Sequence, residues 1–179
     1  IRFGWSQLKR SAWLLGLSIG IVLATPAECG PNNGGVIILH RNEALVYSVG
    51  ISYCGQSGLE VCDNAVTRSD EPGTVVLHAL AAFPGDALPR LSGLTFGLMY
   101  NETQLAFESW GSCSDFELST QNWPGSGEGT AITWSVAHTG YLTEFYWFAA
   151  YTCVDQVVFA LMDHPTGGGN FADDAVPSN

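Results

Sequence analysis

The sequence predicts an all-β protein, an antiparallel β-sandwich of the jelly-roll or immunoglobulin-like kind, preceded by a signal-peptide helix. Three observations support this fold class. The chain has 179 residues, 46% of them hydrophobic and 12% aromatic, which suffices for the core of about one domain. Beyond the first 27 residues, no run shows helical periodicity over an ordinary helix length. Short apolar or alternating runs instead follow one another, separated by turn residues.

The first 27 residues have the pattern of a secretory signal. Basic residues precede the apolar run 12–24, which ends in Thr25-Pro26-Ala27. This run is shorter than the roughly 20 apolar residues of a membrane span, so we expect cleavage after Ala27. An uncleaved anchor is the alternative. Cys29 follows the exit, but Glu28 stands where a lipidation motif requires a small residue, so lipidation is not expected.

The next part of the chain divides into a linker over 28–35, a β-sandwich domain over 36–163 and a glycine-rich acidic tail over 164–179. Turn residues such as "PNNGG" and "AAFPGDALP" bound the apolar runs. The expected strands are 36–40, 44–50, 74–82, 93–100, 104–109, 130–136, 141–151 and 156–162.

In two of these runs the sequence indicates which faces of the strand are buried. In "AITWSVA", Ile132 and Trp134 share one face of a strand while Thr133 and Ser135 share the other, as in a half-buried strand. The run "FYWFAAY" is apolar on both faces, so we expect a central strand that is covered on both sides.

The middle of the chain resembles a known family. The pieces "TVVLHALAAFPG", "LSGLTFGLMYNETQLAFES" and "GYLTEFYWFAAY" are similar to the successive strands of cohesins and related bacterial surface sandwiches. The resemblance covers about residues 74–162. It implies a cohesin-like sandwich, and its motifs mark folding positions rather than a reaction.

The charge of the chain excludes some partner classes. Cleavage after Ala27 removes three of the six basic residues and leaves all 17 acidic ones, and no lysine remains. Such a surface repels phosphate backbones and anionic lipids, so we expect neither nucleic acid nor, after cleavage, a membrane as partner. Divalent cations, neutral sugars and basic protein patches remain open, and so does plain solubility.

Five cysteines lie beyond the leader, at positions 29, 54, 62, 113 and 153. Disulfides persist outside the cytoplasm. We expect Cys54 to pair with Cys62 across a short loop and Cys113 to pair with Cys153, although spacing does not fix connectivity. Cys29 is then free or paired outside this chain. The C-x2-C spacing of zinc sites is absent.

No catalytic motif is evident. The four histidines, His40, His78, His138 and His164, lie outside recognisable nucleophile motifs. The weak candidates for the carboxylate pair of a glycoside hydrolase are Glu102, Glu108, Glu144 and Asp155. As surface charges they need no explanation, and we expect no enzyme.

Two further groups are candidate binding residues. Asp163, Asp173 and Asp174 lie near glycines and offer oxygen ligands for calcium, although a solvated tail explains them as well and no other cofactor is expected. Trp110 and Trp123 flank Gly/Ser/Pro loops, where exposed rings stack on sugars or anchor a protein. Packing over those loops is the alternative.

These observations predict a secreted or cell-surface, non-enzymatic β-sandwich module that binds protein or carbohydrate. One alternative is a structural subunit or spacer of an extracellular assembly, which associates with copies of itself. Another is a secreted glycoside hydrolase. An exposed aromatic patch would favour the binding module, an unpaired edge strand the subunit, and a pocket with converging titratable groups the enzyme.

Overall fold

The computed structural model describes residues 30–70 and 72–175, so the predicted signal peptide lies outside the described residues. Nine strands form in chain order, with one 3-10 turn at Cys62–Asn64 as the helical element of the described part. The strands are β1 (Val36–Arg41), β2 (Val75–Ala82), β3 (Leu91–Tyr100), β4 (Leu105–Ser112), β5 (Phe116–Ser119), β6 (Gly129–His138), β7 (Leu142–Thr152), β8 (Phe159–Met162) and β9 (Asn170–Ala172).

The strands form two antiparallel sheets. Sheet A has the order β1-β2-β7-β4. Sheet B has the order β5-β6-β3-β8, and β9 also pairs with β3. The predicted antiparallel β-sandwich is therefore confirmed.

The core lies between the sheets and follows the predicted alternation. In β6, Ile132 and Trp134 are buried while Thr133 and Ser135 are exposed. In β7, residues 145–150 are all buried, because this strand lies between β2 and β4 and is covered on both faces. The central, doubly covered strand expected from "FYWFAAY" is confirmed.

A long connection covers the outer face of sheet A. We call residues 42–65 the covering segment. The predicted strand over 44–50 is wrong, because these residues pair with no strand and lie instead over β7. The Tyr53 ring packs edge-on against Trp147, with ring centroids 5.1 Å apart. Leu45 and Tyr47 pack against the same small cluster, so the outer face of sheet A has a second core of its own.

The disulfide differs from the predicted pairs. Cys54 of the covering segment is bonded to Cys113, which follows β4, and their Cα atoms are 5.4 Å apart. The predicted pairs Cys54–Cys62 and Cys113–Cys153 are both wrong, because the covering segment crosses sheet A and brings Cys54 to the end of β4. Cys62 and Cys153 are exposed free thiols in the structure.

The two ends of the described chain are fastened to the sandwich. Residues 164–179, predicted to be a tail, include β9, in which Asn170–Ala172 pairs with β3. In the predicted linker, the Asn32 side-chain amide donates to the carbonyl oxygens of Arg90 (3.2 Å) and Ala172 (3.1 Å). Within the described residues, no helix has the length and apolar character needed to span a membrane.

Candidate functional site

An apolar surface lies on the outer face of sheet B, where β5 pairs with β6. Phe116 is opposite Thr133 and Leu118 is opposite Ala131. Directly opposite residues share a face of a sheet, and Thr133 points away from the core, so all four side chains point outward. Phe116 is 61% exposed and Leu118 65% exposed. We call these four residues the β5–β6 surface.

A carboxylate marks one end of the β5–β6 surface. Asp115 accepts hydrogen bonds from the Ser135 hydroxyl (2.6 Å) and the Ser135 backbone N–H (2.8 Å). These two bonds lower the pKa of Asp115, the hydroxyl bond most, so the group stays ionised beside Phe116. The surface thus combines two large apolar side chains with a fixed negative charge.

The free edge of β5 is protected against strand addition. Glu117 points inward, the opposite way from Phe116 and Leu118, and its Oε1 accepts from the Tyr146 hydroxyl (3.0 Å) and the Thr130 hydroxyl (3.0 Å). A short edge strand with an inward carboxylate resists pairing with another strand. The β5–β6 surface is therefore suited to face-on contact.

The predicted tryptophan pair does not form one surface. Trp123 is half-buried and its Nε1 donates to the Tyr146 hydroxyl at 2.8 Å. Its ring packs edge-on against Phe96, with centroids 5.3 Å apart. The expectation that Trp123 is an exposed binding residue is wrong, because the chain folds its loop into the sandwich. Trp110 on β4 is 41% exposed.

A groove of about 880 Å³ lies at one end of the sandwich. Its floor is formed by the buried Leu105 and by four side chains that pack against the core, namely Leu39, Leu77, Tyr100 and Phe159. One lip consists of residues 66–70 and the other of residues 155–158. Burial raises the pKa of Tyr100 to about 12, so its hydroxyl is neutral.

The charged groups in the groove have mixed signs. Arg68 and Asp70 lie on one lip and Asp155 lies on the other. Asp155 is one of the four weak glycosidase candidates, and the structure distributes the others elsewhere. Glu102 accepts the Ser126 N–H at 2.7 Å in a turn, and Glu108 is exposed at a bulge of β4.

The fourth carboxylate, Glu144, belongs to a buried cluster beneath the covering segment. Its Oε1 lies 2.8 Å from Nδ1 of His78, which is fully buried. Its Oε2 accepts the Ser57 N–H at 3.0 Å, and Cys113 Sγ lies 3.9 Å from Oε1. The cluster ties the covering segment to sheet A.

The candidate calcium ligands do not converge. Asp163 is exposed, Asp173 is buried, and the Asp174 carboxylate accepts from Arg90 Nε at 2.7 Å. Within residues 30–70 and 72–175, no group of three or more His, Cys, Asp or Glu side chains could hold a metal ion.

The sequence contains a signal for the surface that we did not predict. In "DFELS", Phe116 and Leu118 alternate with Glu117 and Ser119, which is the period of a strand. The run has four strand residues and follows a cysteine-containing turn, so it is easily taken for a loop.

One solved structure is similar to part of this chain. No model of a protein family matches the sequence, and no curated protein matches it. A cohesin module from a family 33 glycoside hydrolase of Clostridium perfringens ATCC13124 is similar in structure, with a TM-score of 0.44 and 13% identity. The match covers 62% of this chain and 81% of that module.

Proposed function

We propose that this chain is a non-enzymatic, extracellular or cell-surface module that binds a protein partner through the β5–β6 surface. The observation that carries the proposal is the pair Phe116 and Leu118, which expose 61% and 65% of their surface side by side. Large apolar side chains clustered at a surface are typical of protein-binding sites.

The shape of the site favours a protein over a sugar. Sugars and other small ligands bind in concave sites with several converging polar groups. The β5–β6 surface lies on the face of a sheet, and Trp123, one of the two rings considered for sugar stacking, donates a hydrogen bond to Tyr146.

The extracellular location rests on two features. The leader has the pattern of a secretory signal. The Cys54–Cys113 disulfide is of a kind that persists in oxidising compartments.

The experiment compares the full chain with the double variant Phe116→Ser/Leu118→Ser. The probe is the extracellular protein fraction of the source cells, followed by titration of the purified captured protein, with a glycan array in parallel. We expect the double variant to bind the captured protein about 100-fold more weakly, since two central apolar contacts are lost.

The matched control is Leu88→Ser/Val158→Ser, which removes two exposed apolar side chains, 80% and 74% exposed, outside the β5–β6 surface. This control should bind as the wild type does. Glycan binding that survives in both variants would overturn the proposal. Sedimentation that shows concentration-dependent self-association through Phe116 and Leu118 would favour the structural subunit instead.

A further inference from the structure

The side chain of His40 joins β1 to two later points of the chain, Ser57 and Val66. Its ring is buried between β1 and the covering segment. Nε2 lies 3.1 Å from the Ser57 carbonyl oxygen, and Nδ1 accepts the Val66 N–H at 3.0 Å. One imidazole therefore bonds to two backbone groups nine residues apart in the chain.

These two bonds require one form of the ring. The Ser57 carbonyl can only accept, so the proton is on Nε2, and the Val66 N–H can only donate, so Nδ1 carries a lone pair. The ring is therefore neutral. A second proton would occupy Nδ1 and face the Val66 N–H, which breaks that hydrogen bond.

Titratable groups on three neighbouring elements face this ring. His78 of β2 is directly opposite His40, and Glu144 of β7 holds both His78 Nδ1 and the Ser57 N–H. Glu43 lies in the covering segment. Burial is the largest influence and lowers the pKa of His40, and His78 lowers it further. The bond to Ser57 and the two carboxylates oppose this shift.

The hydrogen bond between Val66 and His40 holds one lip of the groove against β1. Val66 is the first residue of the 66–70 lip, and its carbonyl accepts the Arg41 N–H at 2.8 Å. The lip is thus joined to β1 at Val66 by one hydrogen bond from the backbone of Arg41 and one to the ring of His40. The ring bond is the one that a proton can break.

We propose that His40 is a pH-sensitive latch, which holds the 66–70 lip in place at the side of the groove and releases it when the ring is protonated. The proposal is independent of the β5–β6 surface, which lies on the other sheet.

The direction of the effect follows from the pKa of His40. Because this pKa is lowered by folding, the unfolded chain takes up the proton more readily than the folded chain does. The latch is closed above the unfolded pKa of about 6.5 and opens as the pH falls through the folded value. The stability of the folded chain decreases in the same direction.

The test is amide hydrogen exchange of the full chain near neutral pH and near about pH 5, corrected for the intrinsic rate. We expect the Val66 amide to exchange about tenfold faster at the acid pH, as the loss of its hydrogen bond to the His40 ring implies. Amides in the centre of β7 should keep their protection. His40→Gln should lose this pH dependence, because a glutamine offers a donor and an acceptor but does not titrate.

The matched control is His138→Gln, which removes an exposed histidine and should behave as the wild type. Equal protection at both pH values in the wild type, or an unchanged pH dependence in His40→Gln, would overturn the latch. If His40→Gln does not fold, NMR titration of the wild type decides. The chemical shifts of the His40 ring and of the Val66 amide must then change with the same midpoint pH. A Val66 amide shift that does not change as the ring titrates contradicts the proposal.

Discussion

The carboxylate of Glu117 shows how one residue determines the use of a surface. Its neighbours Phe116 and Leu118 face solvent, whereas Glu117 turns inward to accept from Tyr146 and Thr130. Burial raises the pKa of Tyr146 above its ordinary value, so the hydroxyl remains a donor. The edge is protected while the apolar face is left open.

The two tryptophans should differ in what they contribute to stability. Trp123→Ala removes a ring packed on Phe96 and the hydrogen bond to Tyr146, so we expect a loss of about 3 kcal/mol in the free energy of unfolding. Trp110→Ala, at a more exposed ring, should cost less than about 1 kcal/mol. Urea denaturation measures both values, and equal costs would contradict the packing of Trp123.

The pKa of Asp115 should change when the Ser135 hydroxyl is removed. In Ser135→Ala, the stronger of its two hydrogen bonds disappears, so the pKa of Asp115 should rise toward its ordinary range. Because the folded pKa is lowered, Asp115 stabilises the fold above its unfolded pKa, and this contribution is lost as the pH falls through the folded value.

Carboxyl NMR titration measures the change at Asp115. Asp174 provides an internal control, because the hydrogen bond from Arg90 lowers its pKa and Ser135 does not touch it. An Asp115 pKa that stays low in Ser135→Ala would mean that the backbone N–H suffices.

At the scale of elements, the strands of the core could be predicted and the covering segment could not. The run 44–50 is mostly apolar, as a short strand can be, but it packs Leu45 and Tyr47 against the cluster of Tyr53 and Trp147 without pairing its backbone with a strand. An apolar pattern indicates which side chains are suited to burial and says nothing of the backbone hydrogen-bond partner. Strand β5 is not predicted for another reason, because its four residues lie between two turns and are too few for a period of two to stand out.

The disulfide should be a main support of the covering segment. Cys54→Ala/Cys113→Ala removes a bond that spans 59 residues, so we expect a loss of about 4 kcal/mol in the free energy of unfolding and rapid proteolysis within residues 42–65. Urea denaturation and limited proteolysis measure these effects.

Cys62→Ser/Cys153→Ser is the matched control for the disulfide, because it removes two exposed thiols and should leave stability and proteolysis unchanged. Peptide mapping of the oxidised wild type should recover Cys54 joined to Cys113. A Cys54–Cys62 peptide would contradict the structure.

At the scale of the whole molecule, composition and patterning were enough to predict two antiparallel sheets around an aromatic core. They could not predict contacts between distant segments. The Cys54–Cys113 bond, the pairing of β9 with β3 and the His40 contacts each join residues that are far apart in the chain or lie outside its regular pattern. The β5–β6 surface depends on which strand lies at the edge of sheet B, and only the topology shows this.

The covering segment has a consequence for stoichiometry. It occupies the outer face of sheet A with Tyr53 on Trp147, so in the described part of the chain the two faces of the sandwich are not equivalent. Under the proposed function, the described part of the chain would hold one partner at a time through the β5–β6 surface and have a valence of one. To cross-link partners or to gain avidity, a cell would have to display several copies of this module side by side.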